Sequence, residues 1–470
     1  MRKNPRTPKE RRKIVNRIRM LRRNKDKKSK KKRAKIDKQI EESEAELLKI
    51  RRKEKLENEA KIIDCMKENP KMLFSYVKKQ KNRINEIGPF KLNNKYIYDK
   101  NEICNLLKIE FTSQFNNKSN EENNQIFNEC NNDDLSDINF GKKDIEEAIK
   151  NIDENSSAGP DGIPALFLKK TKESLSKPLT ILLRKSLDEG KIPNIYKLAY
   201  ITPIHKGGSK QDPAQYRPVS LTSHIMKIFE RVLKKHILKH LVDNNKFNKG
   251  QHGFVPGRST QTQLLSHLND IFEAYMEGKR LDSVFLDFAK AFDKVDHQIL
   301  LEKVRKHKIS GKIGRWIQEF LKDRKFRVVA NGNKSEEEEV TSGVPQGTVL
   351  AAILFVIMIS DIDDNVKHSI VRSFADDTRV NKKISKEEDK KQMQEDLDVI
   401  YKWAQDNKMK FNENKFEQMA YGRIENLNID PYKNPNGKDI QVKETVKDLG
   451  VHTTNDMLFK EHIDKIVNSC

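Results

Sequence analysis

The apolar positions of this chain change spacing three times, and each change predicts a different kind of structure. Residues 8–64 are rich in Lys, Arg, Glu, Ile and Leu and contain no glycine. Ile14, Ile18, Leu21, Ile36, Ile40, Leu47, Leu48 and Ile50 form a thin apolar stripe at helical spacing. That pattern predicts a mostly helical arm over 1–70, ended by Asn69-Pro70, that pairs with another helix or lies along a phosphate backbone. Residues 71–139 open on a short apolar segment, MLFSYVKKQ, and run into FNNKSNEENNQIFNECNNDD. That composition predicts a linker, partly disordered.

From Phe140 onward the pattern is that of a packed body. Residues 142–152, KKDIEEAIKNI, predict a short helix, and NSSAGPDGIP (155–164) a Gly/Pro loop before an amphipathic helix over 165–188. LAYITPIHK (198–206) and the apolar start of VFLDFAKAFDKVDH (284–297) predict strands. Phe326–Val340 predicts a β-hairpin around Asn331-Gly332, a strong turn pair. GVPQGTVLAAILFVIMISDI (343–362) reads as a loop feeding a buried helix, and Gln394–Lys408 as a further helix. Strands and helices are interspersed without regular βαβ alternation. The expected fold is α+β with a largely antiparallel sheet.

The chemistry concentrates at Phe374-Ala375-Asp376-Asp377, between two short segments of strand character. A strand–turn–strand junction that holds two adjacent carboxylates does so against charge repulsion, which a bound cation relieves. An Asp pair alone is equally a polar hairpin turn. Asp287, about ninety positions upstream at the end of another apolar strand, supplies a third carboxylate. Together the three are candidate ligands for a divalent cation.

Charge adds a second element. The 470 residues carry a net charge of +23, yet residues 1–40 hold twenty Lys/Arg against three acids, Glu10, Asp26 and Asp37. The remainder is close to balanced. A basic arm of that density binds polyanions by releasing their counterions, unless it is only a solvated tail. The four cysteines, Cys65, Cys104, Cys130 and Cys470, are scattered without CxxC or zinc spacing, which suits a reducing compartment. The N-terminus is basic without an apolar core, and the longest apolar run, Val349–Ile359, falls short of the ~20 residues that span a bilayer. The expectation is a soluble intracellular protein without a membrane partner, directed to the nucleus by KKSKKKRAK (27–35).

Eight motifs occur in one order: NSSAGPDGIP, ITPIHKGGSKQDPAQYRPVSLTS (201–223), KGQHGFVPGRST (249–260), VFLDFAKAFDKVDH, SGVPQGTVL (342–350), SFADDT (373–378), MKFNENK (409–415) and VKDLGV (446–451). This series resembles the reverse transcriptases of non-LTR (LINE-type) retrotransposons, near the jockey and CR1 groups, over roughly 140–470. The resemblance implies a right-hand polymerase of fingers and palm, with a core over 187–455. It would be an RNA-directed DNA polymerase that adds dNTPs to a primer 3′-OH by two-metal nucleotidyl transfer on an RNA template, with a DNA primer or target. Mg²⁺ is the expected ion, with Mn²⁺ as the alternative. Asp287, Asp376 and Asp377 would be the catalytic metal ligands, with the Phe288 carbonyl beside them. Lys206 and Arg217 would grip the β/γ-phosphates, unless they are surface charges. Phe292 resembles the family's bulky gate against a ribose 2′-OH; its other reading is ordinary core. Gly343, Pro345, Gln346 and Gly347 would form a tight loop beside the nucleotide. Lys415 is a further candidate near the triphosphate, and Leu449-Gly450-Val451 resembles the start of the primer-grip hairpin. Asp293 and Asp296 read as structural, exposed turn or cap carboxylates.

Departures from the family pattern are Ala351-Ala352 where relatives carry Gly-Pro, and Tyr196 where they carry Trp, both at packing positions. The chain stops at Cys470, where the family's thumb would begin, so the thumb is expected to be largely missing. Neither an apurinic-type endonuclease nor a zinc-knuckle nuclease is recognisable, which suggests a piece of a longer element. Two other readings stay open: a catalytically silent, retrotransposon-derived nucleic-acid-binding fragment, and a coiled-coil scaffold or RNA chaperone built on residues 1–70.

Overall fold

The computed structural model describes scattered positions between 14 and 50, then residues 86–468 apart from 93, 117–126, 128 and 423–426. The chain divides into two units, Met1–Glu86 and Ile87–Cys470. In the first, the described positions between 14 and 50 are helical, and Ile14, Ile18 and Ile40 of the apolar stripe are buried. The basic run 27–35, Asn69-Pro70 and the segment 72–80 lie outside the described residues.

The second unit is α+β, with strands numbered in chain order. β1 (Phe90–Leu92) and β2 (Lys95–Ile97) form a small hairpin. A first sheet runs in the order β4-β3-β6-β7, from β3 (Leu198–His205), β4 (Tyr216–Leu221), β6 (Lys325–Ala330) and β7 (Asn333–Lys334), with β8 (Glu338–Glu339) returning onto β6. A central sheet runs in the order β12-β11-β5-β10-β9, from β5 (Arg280–Leu286), β9 (Ile370–Phe374), β10 (Asp377–Ile384), β11 (Glu417–Tyr421) and β12 (Gln441–Val442). β13 (Thr445–Asp448) and β14 (Val451–Thr454) form a separate hairpin. The pairs β3–β6 and β11–β12 are parallel and the others antiparallel.

β5 occupies the centre of its sheet because both of its faces are covered. Val284 and Leu286, with Val380 of β10, join the main core alongside Leu354, Met393, Leu397 and Ile400. On the other face Leu281, Met419 and Tyr421 pack with Ile271 and Ala274 of helix Thr260–Met276. The polar residues of the strand are satisfied inside the fold: Arg280 Nε donates to Asp282 Oδ1 at 2.7 Å and Ser283 Oγ to Asn381 Oδ1 at 2.9 Å.

The linker expected over 71–139 is corrected in part, since the compact unit begins at Ile87 rather than Phe140. Helix Lys100–Thr112, capped by Asp99, carries Ile103, Cys104, Leu107 and Phe111 on one face. That face is buried with Ile201, Phe326 and Val328 of the first sheet. Farther on, Phe127 fills the space that Gly314 leaves open, where a Cβ would stand 2.2 Å from its ring. An isolated apolar residue such as Phe127 in a polar stretch carries little periodic signal, yet it is buried in the body. The helix expected over 165–188 is interrupted at Thr171, giving Ala165–Lys170 and Lys172–Glu189. The Asn331-Gly332 turn forms as expected, with both residues at positive φ and Ala330 opposite Asn333.

Helix Ala351–Met358 is buried along most of its length, and its first N–H groups need an acceptor inside the protein. Glu230, from helix His224–Asp243, supplies it: its Oε2 accepts from Val349 N at 2.6 Å and Leu350 N at 3.0 Å. Burial raises the Glu230 carboxyl, and it also lowers nearby Arg324, to about 10. Replacing Glu230 by alanine orphans two buried donors and strips Arg324 of its counter-charge. The expected loss is about 3 kcal/mol, read as a lower urea midpoint by tryptophan fluorescence; an unchanged midpoint would remove Glu230 from the framework.

Candidate active site

The register of the central sheet brings the three carboxylates together. Thr378 pairs with Leu286, so Asp377 and Asp287 stand one step beyond that pair at the same sheet end. Asp377 faces Phe374 across the β9–β10 hairpin, and the turn between them is Ala375-Asp376, with Ala375 at φ +53°. Beyond β5 the chain stays tied to the MKFNENK segment. Asn412 N donates to Asp287 O at 2.7 Å, Ala289 N to Lys410 O at 2.8 Å, and the Phe288 and Phe411 rings stack 4.3 Å apart.

One cleft, of about 790 Å³, is lined by Asp287, Phe288, Asp376 and Asp377 together with Lys206, Arg217, Phe292, Gln346 and Lys415. Residues spread over more than two hundred positions of sequence thus converge. A second recess, of about 460 Å³, lies toward the β13–β14 hairpin and is lined by Arg379, Leu449 and Gly450. The two cavities share Asp287, Asp377 and Lys415.

Electrostatics mark the carboxylates as crowded. Burial first, then Asp376 and Asp287, push Asp377 up to about 6. Asp376 is raised as well, by burial and then by Asp287, with Arg217 and Lys415 opposing. Lys415 Nζ lies 2.9 Å from Asp287 Oδ2. Among the described residues, no three acidic, His or Cys side chains converge tightly enough to chelate one ion by themselves. The donor chemistry nevertheless fits hard divalent cations: oxygen ligands at one sheet end whose mutual repulsion a cation would relieve.

The cations reach the cleft from the first sheet. β4 alternates, with Tyr216, Pro218 and Ser220 turned inward and Arg217 exposed. Lys206 follows β3, exposed, its backbone N–H held by Gln215 O at 2.9 Å. The Gly343–Gly347 loop is tied on both sides. Ser220 N donates to Gln346 O at 2.8 Å, Gly343 N to Val295 O at 2.7 Å and Val344 N to Phe292 O at 2.8 Å. Gly347 sits at φ +103°, where a Cβ would lie 2.8 Å from Ser220 O. Gln346 Nε2 donates to Asp293 Oδ2 at 3.1 Å.

Phe292 is half-buried, stacked on Phe355 at 4.5 Å, and also lines the cleft, so it belongs to the core and to the cavity wall. The expectation of an exposed carboxylate is corrected at Asp293, which is 7% exposed and which burial pushes up to about 6. Asp296 does cap a helix, His297–Lys306, through Ile299 N at 3.1 Å, but it too is buried, and it meets Lys408 at 2.8 Å. Leu449-Gly450 forms the two-residue turn of the β13–β14 hairpin, both at positive φ, and Asp448 pairs with buried Arg379. Tyr196 packs against the main core and Ala351 lies within it.

The motif reading assigned no individual role to Gln251, within KGQHGFVPGRST. Its side chain is 3% exposed and meets the Ala375 backbone. The signal was there, a polar residue between Gly250 and Gly253, but what the glycines abut is invisible without the fold.

The central sheet gathers three carboxylates at one end, and Lys206 and Arg217 from the first sheet line the same cleft. Residues 204–453 match the family model for reverse transcriptase (RNA-dependent DNA polymerase), and the chain belongs to that family. It is similar to the RNA-directed DNA polymerase from mobile element jockey of Drosophila melanogaster, 28% identical over 69% of this chain and 36% of that protein. It is also similar to the probable RNA-directed DNA polymerase from transposon BS of the same species, 30% identical over 50% and 27%. A third relative is the Pol polyprotein from the type-1 retrotransposable element R2 of Nasonia vitripennis, 29% identical over 44% and 20%. The chain therefore spans about a third or less of the length of these relatives. The motif-based resemblance to non-LTR elements agrees with these names. Among solved structures, apo telomerase from Candida tropicalis aligns with a TM-score of 0.40 at 12% identity, over 61% of this chain and 59% of that one.

A side chain at Gly347 meets both an unfavourable φ and the β4 carbonyl. Gly347→Ala is expected to cost about 1–3 kcal/mol and to shift the loop. A thermal melt within a degree of the parent would show that the loop tolerates the clash.

Proposed function

We propose that this chain is the polymerase portion of a non-LTR retrotransposon reverse transcriptase, extending a DNA primer on an RNA template. The observation that carries the reading is the convergence of Asp287, Asp376 and Asp377 with Lys206 and Arg217 on one cleft. In this reading the central sheet is the palm and the first sheet belongs to the fingers. Asp287 and Asp376 would hold the divalent ions, two Mg²⁺ or Mn²⁺ in this reading, with the Phe288 carbonyl and Asp377 as further oxygen donors beside them. Such ions, when bound, activate the attacking oxygen and stabilise the leaving pyrophosphate.

The chain's own residues do the positioning. Lys206 and the forked guanidinium of Arg217 face the carboxylates across the cleft, placed to hold the β/γ-phosphates. The Gly343–Gly347 loop presents backbone and Gln346 to the base pair. Lys415, paired with Asp287, stands where the two recesses meet, within reach of the triphosphate. The turn at Leu449-Gly450 overhangs the recess on the primer side. The basic arm adds sequence-independent grip on nucleic acid, and its run 27–35 suits nuclear import. Among the described residues, no helix is long and apolar enough to cross a membrane.

Asp376→Asn removes one charge from the developing transition state and should reduce primer extension on a poly(rA) template by at least about a hundredfold, with folding unchanged by circular dichroism. Near-parental extension would disprove the ligand assignment. A parent chain that binds template but never extends it would favour the silent-fragment reading.

Phe292→Ala opens the wall beside the sugar. The ratio of rNTP to dNTP incorporation should rise about tenfold or more, in line with ~1–3 kcal/mol of steric discrimination. An unchanged ratio would return Phe292 to the core alone.

A further inference from the structure

The turn that carries Asp376 is not self-supporting. Ala375 is a non-glycine residue at φ +53°, a conformation that costs about 1–2 kcal/mol for an L-residue, and its N–H is turned away from the β9–β10 ladder. A backbone in such a conformation persists only when its surroundings over-determine it.

Residues 250–253 are those surroundings. They lie parallel to β9 like an additional short strand: Ser373 N donates to Gly250 O at 2.9 Å and His252 N to Ser373 O at 2.7 Å. The approach is closer than side chains permit. A Cβ on Gly250 would stand 2.1 Å from Val371 O, and one on Gly253 2.3 Å from Ala375 N. This proximity lets the buried Gln251 carboxamide reach the turn. Its Oε1 accepts from Ala375 N at 2.9 Å and from Gly253 N at 2.7 Å, while Nε2 lies 3.5 Å from Ala375 O. Two N–H donors converge on one side-chain atom, which fixes that atom as the oxygen. One acceptor oxygen thus closes both the strained turn and the strand beside it.

We propose that Gln251 is a positioning residue that holds the Ala375-Asp376 turn in its left-handed shape and so aims Asp376 into the cleft. Its consequence for catalysis rests on the polymerase reading above; the bracket itself does not.

The test compares Gln251→Met, which keeps length and burial but has no acceptor oxygen, with Gln251→Glu, which keeps the acceptor. Amide hydrogen exchange in the full chain gives a readout independent of activity. In Gln251→Met the Ala375 amide should exchange at least tenfold faster while the β5 amides keep their protection. In Gln251→Glu it should stay within a few-fold of the parent. Primer extension in the same proteins should show kcat down about tenfold in Gln251→Met with the KM for dNTP unchanged, and most of that loss recovered in Gln251→Glu. A protected Ala375 amide in Gln251→Met, or equal loss of protection in both variants, overturns the proposal. So does parental kcat in Gln251→Met. If the parent itself does not extend primers, the exchange result still decides the bracket, and only the polymerase reading fails.

Discussion

Repulsion among Asp287, Asp376 and Asp377 is the constraint around which the surrounding structure is arranged. Two like charges about 4 Å apart near a protein surface cost on the order of 4 kcal/mol. A flexible loop would relieve that cost by moving apart. Here the strand ends cannot separate, because β5 and β10 are paired over seven residues and buried on both faces. Burial first, and then the neighbouring carboxylates of Asp376 and Asp287, raise Asp377 to about 6. Lys415 on Asp287 and the exposed guanidinium of Arg217 offset part of the charge, and an oxygen-seeking cation would offset the rest.

Confinement needs a rigid support, and part of it is polar. Behind β5, β9 and β10, helix Thr260–Met276 contributes Asp270 and His267. Asp270 binds Arg372 through two contacts of 2.6 Å and accepts from Asn381 at 2.9 Å. Asn381 also meets Ser283 at 2.9 Å, and His267 meets Tyr421 at 3.1 Å. Burial, then Arg379 and Arg372, hold His267 well below its ordinary pKa, so it sits in the network as a neutral ring. A satisfied polar network fixes one arrangement where apolar packing alone would permit slippage. The register of β10 on β5, and with it the position of Asp377, depends on that choice.

The opposite wall of the cleft is built by ties between distant segments. The Gly343–Gly347 loop is bonded to β4 on one side and to residues 292–295 on the other, and Glu230 fixes the start of the helix behind it. Gln346 is thereby held over Asp293, and Phe292 between the cleft and Phe355. A displacement of this loop would move Gln346 and Phe292, and so reshape the cleft wall at both together.

Local pattern was enough for the α+β class, the central strand and the Asn331-Gly332 turn, and it singled out three acids that meet at one sheet end. Each of these is written in short-range spacing: apolar runs, a turn pair, and acids at strand ends. The motif order was enough for the family, because eight short signatures in sequence are specific even where each is weak. Only the tertiary structure decided the rest. That 87–116 belongs to the body follows from a helix face that has meaning only against the first sheet. Asp293 is buried because the loop from 343 folds over it, and nothing in residues 284–297 announces that. Gln251 lies more than a hundred positions from Ala375, and neither segment alone shows why two glycines flank it. Sequence determines what each segment prefers locally; which polar atoms are left needing a partner, and what reaches them, is fixed only when the segments pack.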